Sequence, residues 1–222
     1  MIGHNHLGKN GRFGNQMFQY AATRGLAAKH KYDWCIPDGP RTDEEFVDEE
    51  NQHKLFMAFK MEGAKVVKDH PAPYEQEGSF TFDHRLFLYC PDNVNLYGYF
   101  QCEKYFKDIE KEIRQDFTWR DDVRSLCQDM FDSIGGKAIS LHIRRTDHLV
   151  KPTYHPVLPL SYYEKALEII DTLSLDRQKN LPVLVLSDDP EWCHKQEFFS
   201  DDRFMISAVS YTHLTLPTNH PV

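Results

Sequence analysis

Apolar positions change their spacing several times along this chain, and each change marks an element. Phe18, Ala21, Ala22, Gly25 and Leu26 recur at i, i+3, i+4, i+7 and i+8, which predicts an amphipathic helix through "NQMFQYAATRGLAAKH". The small residues on that stripe allow close packing against a sheet. Ahead of it, "NGRFG" reads as a glycine-punctuated loop and "MIGHNHLGK" as a weak first strand. Residues 37–54 are acidic and turn-rich and are placed outside the core. The span 80–100 has aromatic, β-favouring character broken at Pro91-Asp92-Asn93, which predicts two strands joined by a turn.

Tyr105, Ile109 and Ile113, four apart in "CEKYFKDIEKEIRQDF", predict a helix; "VRSLCQDMFDSI" predicts another, closed by Gly135-Gly136. In "ISLHIRRTD" the apolar Ile139, Leu141 and Ile143 alternate with Ser140, His142 and Arg144, the pattern of a strand with two unlike faces. "LSYYEKALEIIDTL" places Tyr163, Ala166, Leu167 and Ile170 on one helix face, with Ser161 as its cap. Leu181 to Leu186 is a short apolar strand, and Pro190 suits the first helical position after an Asp189 cap. Strand and helix alternate from 138 to 199, which predicts βαβ units and a parallel sheet covered on both faces.

With 222 residues the chain is long enough for one large domain or two small ones, and 41% hydrophobic content fits a packed core. A net charge of -8, from 26 Lys+Arg against 34 Asp+Glu, argues against a nucleic-acid binder, because phosphate neutralisation needs a basic face. Any anion site is therefore local. The five cysteines are dispersed without C-x-x-C spacing, which fits reduced thiols in a cytoplasmic protein. No apolar run reaches the roughly 18 residues of a membrane span, and the N-terminus lacks a signal-peptide core.

Three stretches carry candidate chemistry. Gly11-Arg12-Phe13-Gly14-Asn15-Gln16 leads into a helix; it is either a plain tight turn or a loop whose backbone approaches a ligand. His142, Arg144, Arg145 and Asp147 leave a strand at its carboxyl end, where open α/β sheets bind ligands. An arginine there can grip a diphosphate bidentately, with Asp147 holding it in pose; the alternative is a surface ion cluster. Ser187-Asp188-Asp189-Pro190 stands one βα unit later. Asp189 reads as a helix cap, while Asp188 has the freer carboxylate and could accept two hydrogen bonds from a guanine edge. Metal chemistry has little support. There is no Asp-x-Asp, the His4-x-His6 pair has no evident third ligand, and arginine must then carry any phosphate charge.

"GRFGNQMFQYAA", "LYGYFQCEKYF", "LHIRRTD", "LPLSYYEKALEII" and "VLVLSDDPEW" occur in the order found in the α-1,2-fucosyltransferases of glycosyltransferase family 11, which the chain resembles from residue 8 to about 207. Its H-x-R-R-x-D element is shared with α-1,6- and protein O-fucosyltransferases. The resemblance implies a GT-B-like α/β fold of two Rossmann-type domains facing a cleft. The expected division is an acceptor-side domain over 1–125 and an incomplete GDP-fucose-binding domain over 126–207. It implies a metal-independent, inverting reaction with GDP-fucose as donor, no cofactor, and a galactose-terminated oligosaccharide or surface glycan as acceptor.

Carried over by motif, Arg144 resembles the arginine on the donor pyrophosphate, with Arg145 and Asp147 beside it. His142 resembles the histidine near the nucleoside, and Asp188 the carboxylate that reads guanine. Gly11, Gly14, Asn15 and Gln16 resemble the loop facing donor and acceptor. Arg12 and Phe13 replace the Gly and Leu of many bacterial members. Asp147 and His155 are candidates for a general base by proximity in sequence only. After Ser207 the likeness stops, and "AVSYTHLTLPTNHPV" over 208–222 reads as a non-native tail on a truncated chain. The expected activity is fucosyl transfer to the 2-hydroxyl of a terminal galactose. The alternatives are another fucosyl linkage (O- or α-1,6-like) or a GDP- or glycan-binding remnant.

Overall fold

The first helix forms where its apolar stripe predicts. In the computed structural model, which describes residues 1–42, 52–78, 81–150, 152–153, 156–173 and 181–207, helix α1 spans Phe13–His30 and ends on Lys31 in the left-handed conformation at φ 59°. It buries Tyr20, Ala21, Ala22, Gly25, Leu26 and Ala27. Gly25 packs directly on the backbone of Tyr105 and Phe106, so the small residue admits a neighbouring loop rather than a sheet. Polar side chains share the buried face. Tyr20 donates to Asp116 Oδ2 at 2.7 Å, Gly63 N–H donates to Oδ1 at 3.0 Å, and Arg24 pairs with the same carboxylate.

The chain divides into two compact units, Met1–Leu126 and Cys127 onward. The first holds strand β1 (Ile2–Gly3), α1, a short α2 (Leu55–Ala58), β2 (Tyr74–Gln76), α3 (His84–Tyr89), β3 (Val94–Tyr97) and α4 (Glu110–Asp116). Its sheet has the order β1-β3-β2, all parallel, with Ile2 opposite Val94 and Gln76 opposite Tyr97. The core gathers Ile2, Tyr20, Leu26, Leu55, Leu96 and Phe100. Two expectations are corrected here. The 80–100 span holds a helix and one strand, not two strands, because Asp83 caps α3 by accepting from Leu86 N–H at 2.9 Å, and Phe82 and Phe87 pack on Tyr105. Aromatic β-propensity yielded to a cap and to packing. Residues 103–116 are two 3-10 turns (Glu103–Tyr105 and Lys107–Ile109) followed by α4, because Phe106 leaves helical geometry where it meets α1.

Helix α5 (Asp121–Ser133) spans the boundary between the units, and Gly135 and Gly136 turn the chain with φ of 83° and 73°. The second unit continues with β4 (Ile139–Ile143), α6 (Thr146–Val150), α7 (Leu160–Leu173), β5 (Val183–Ser187), α8 (Pro190–His194) and β6 (Phe204–Ser207). Its sheet, β4-β5-β6, is parallel throughout, the βαβ arrangement that the alternation predicts. One face packs Ile139, Leu141, Ile143, Val183 and Val185 against Tyr163 and Leu167 of α7. The other face of β4 is not covered as expected: Ser140 and His142 are exposed. Ser161 lies inside α7, which begins at Leu160, so it is not the cap. Arg203 fastens the far end of α7, donating to both oxygens of Asp171 at 2.6 and 2.9 Å and to the Leu181 carbonyl at 2.8 Å. Residues 208–222 and the acidic 43–51 stretch lie outside the described residues.

Candidate functional site

Parallel pairing sets the carboxyl ends of β4 and β5 side by side, with Ile143 opposite Ser187. The residues leaving those ends are Arg144 to Asp147 and Asp188 to Asp189, so the register alone brings two of the three candidate stretches together. Asp188 clamps the turn between β4 and α6. Its Oδ1 accepts from Arg145 N–H at 2.8 Å, and its Oδ2 accepts from Thr146 N–H at 3.3 Å and from the Thr146 hydroxyl at 2.6 Å. The carboxylate expected to be free is thus engaged by this chain's own backbone.

Asp189 acts as the predicted cap. Its Oδ1 accepts from Trp192 N–H at 3.2 Å, with Pro190 at the first helical position. Its Oδ2 accepts from Arg145 Nε at 3.2 Å, and the Arg145 guanidinium lies 3.7 Å from the centre of the Trp192 ring. With 15% of its side chain exposed, Arg145 is built into the turn as an anchor.

His142 and Arg144 form the remaining part of the cluster. His142 is exposed and Arg144 half-buried. Partial burial, then the charge of Arg144, lowers the His142 pKa, with His148 adding to the effect and Asp188 opposing it. Arg144, His142, His148 and Asp188 therefore share one electrostatic neighbourhood at the strand ends. Asp147 follows in the first turn of α6, and His155 lies outside the described residues.

The third stretch belongs to the first unit. Gly11 has a φ of 84°, and a β-carbon there would run into the Asn15 side chain. Gly14 is exposed with open space around it. Asn15 Oδ1 accepts from Gln101 Nε2 at 2.5 Å. Gln16 turns inward, buried, and accepts from Lys54 N–H at 2.8 Å, which makes it a brace between α1 and α2. Gln19, which the sequence reading passed over, fixes the loop: its Nε2 donates to the carbonyls of Asn10 and Gly98, both at 3.0 Å. A polar residue within the apolar stripe of α1 was the available signal. Trp192 and Thr146 were missed for another reason, since their partners come from the neighbouring strand end.

The profile of glycosyl transferase family 11 matches residues 1–211. The chain belongs to glycosyl transferase family 11. Among curated members of wider kinship, the O-antigen biosynthesis glycosyltransferase WbnK of Escherichia coli is 27% identical over 225 residues, 82% of this chain and 72% of WbnK. An alpha-1,2-colitosyltransferase of Escherichia coli is 25% identical over 233 residues, 94% of this chain and 79% of that protein. Among solved structures, the fucosyltransferase NodZ from Bradyrhizobium matches with a TM-score of 0.55 and 12% identity over 92% of this chain and 78% of NodZ. NodZ alpha-1,6-fucosyltransferase co-crystallised with GDP gives 0.56 and 13% over 93% and 78%. The two α/β units of this family 11 chain thus have the GT-B-like fold of NodZ. No helix among the described residues is long and apolar enough to cross a membrane, and no three His, Cys, Asp or Glu side chains among them converge to hold a metal ion.

Proposed function

We propose that this glycosyltransferase uses GDP-fucose and passes the fucosyl group, with inversion, to a hydroxyl of a glycan acceptor. The observation that carries the reading is the juxtaposition of half-buried Arg144 with exposed His142 at the end of β4, on a turn clamped by Asp188. The NodZ structures with GDP and with GDP-fucose support the choice of donor.

In the reaction the acceptor oxygen attacks C1 of the sugar, its proton passes to a base, and GDP departs with the electron pair of the C1–O bond. Positive charge grows on the ring and negative charge on the diphosphate. Arg144 stabilises the departing diphosphate more than the bound donor, the condition for speeding the chemical step. His142, whose pKa is lowered by desolvation and by Arg144, stands on the nucleoside side of the donor. Asp188 serves by holding the turn that carries Arg144. Gly11, Gly14 and Asn15 form the substrate-facing loop, with Gln16 and Gln19 as its support.

For the linkage, the alpha-1,6 activity named for NodZ favours a fucosyl linkage other than α-1,2 to galactose. The alpha-1,2 linkage in the name of the colitosyltransferase keeps transfer to the galactose 2-hydroxyl as the second reading. Incubation with GDP-fucose and a panel of oligosaccharides, followed by NMR linkage analysis, tests both. A fucosylated product supports the activity, its anomeric coupling reports the inversion, and the correlation of fucose H1 with the substituted acceptor carbon reports the linkage; intact donor and unmodified acceptors refute it.

A further inference from the structure

The first unit carries an aromatic platform that the donor chemistry does not use. Strands β2 and β3 run parallel, with Gln76 opposite Tyr97, and both end at the same edge of the sheet. Tyr74 is 53% exposed and Tyr97 36% exposed, costly positions for large rings unless something covers them. His6, three residues past the end of β1, fills the gap between them, its ring 5.0 Å from Tyr74 and 4.9 Å from Tyr97. Beside this cluster opens a cavity of about 290 Å³ walled by Asn10, Gln76, Glu77, Tyr97, Gly98 and Tyr99.

The cavity is held by the structure around it. Glu77 Oε2 accepts the backbone N–H groups of Tyr99 and Phe100 at 3.1 and 2.8 Å, while its Oε1 accepts from the Tyr105 hydroxyl at 3.2 Å. Phe100 is fully buried with a φ of 53°, a left-handed backbone that a bulky residue adopts only under constraint. Gln19 ties Gly98 to Asn10 from beneath and leaves its own buried Oε1 without a partner among the described residues.

We infer that this platform and cavity bind a pyranose ring of the acceptor glycan. A pyranose has an apolar C–H face bordered by hydroxyls; here exposed tyrosine rings adjoin a cavity whose lining includes the amide-bearing residues Asn10 and Gln76. Among the described residues no lysine or arginine lines the cavity, so a phosphate or a nucleotide finds no counter-charge from them. The volume is near the lower end of small-molecule pockets, roughly 300 Å³, which suits a single ring. The assignment deepens the glycosyltransferase reading and rests on it, by giving the acceptor a place in the first unit.

Saturation-transfer NMR and titration with methyl β-galactoside, lactose and cellobiose test it directly, with GDP titrated in parallel. The parent chain binds at least one of these sugars. Tyr97→Ala and Tyr74→Ala weaken that binding tenfold or more, and Tyr97→Phe, which keeps the ring, restores most of it. Circular dichroism checks that the variants fold, and the exposed Tyr74 supplies the safer second substitution. Equal sugar binding by parent and alanine variants, or no sugar binding by a folded parent that binds GDP, overturns the platform. A parent that binds sugar but not GDP leaves the platform standing and removes the donor assignment instead.

Discussion

Replacing Asp188 by alanine separates two roles that one carboxylate can play. In the structure it accepts three hydrogen bonds from the β4–α6 turn, at 2.8, 3.3 and 2.6 Å. A hydrogen bond to a charged acceptor contributes about 1.5–3 kcal/mol, but the Thr146 end of this set is exposed and water replaces part of it. The Arg145 amide is the part-buried donor, so a loss of about 2 kcal/mol is expected. For a chain of this size each kcal/mol moves the melting temperature by about 2–4 °C, giving a fall of about 4–8 °C. Arg144 shifts with the turn, and GDP binding weakens while its preference over ADP is retained. The assay is thermal denaturation with GDP and ADP titrations of parent and Asp188→Ala. An unchanged melting temperature combined with lost discrimination between GDP and ADP would show that Asp188 reads the base, and the clamp argument would be wrong.

Acid should destabilise the first unit. Burial lowers His4 and His53 from the ordinary 6.5 to about 4, so both are neutral when folded and bind protons sooner when unfolded. The stability this gives is complete above pH 6.5 and is lost as pH falls toward 4, roughly 2 kcal/mol per histidine between pH 7 and 5. Melting curves across that range should fall accordingly, and a flat profile would contradict the burial of both rings. Gly11→Ala should lower stability by about 1–3 kcal/mol, through a φ of 84° and the clash with Asn15, which urea denaturation measures. Trp192→Ala should loosen Arg145, costing at least the roughly 0.5–2 kcal/mol of the stacked pair, whereas Trp192→Phe should retain much of it.

Legibility of the sequence followed the range of the signal. The α1 stripe, the Asp189 cap before Pro190, the alternation in β4 and the glycine turn at 135–136 are local, and each appears in the structure. Helix α3 was misread because the deciding contact, Phe82 and Phe87 on Tyr105, spans about twenty residues of sequence that propensity does not see. Gathering His142, Arg144 and Asp188 was foreseeable from strand order in a parallel sheet. The use of Asp188 was not, because it depends on backbone N–H groups 42 and 43 positions away. Arg145 differs from its neighbour Arg144 for the same reason: only the fold sets Trp192 beneath its guanidinium.

The central claim concerns the charge at position 144. Isothermal titration of GDP into the parent and into Arg144→Ala, together with single-turnover consumption of GDP-fucose, tests it most directly. The account predicts that the parent binds GDP, that the variant binds at least tenfold more weakly, and that its turnover falls by about a hundredfold, the scale of losing one strong electrostatic donor. Equal GDP affinity and equal donor consumption in the two proteins would contradict it.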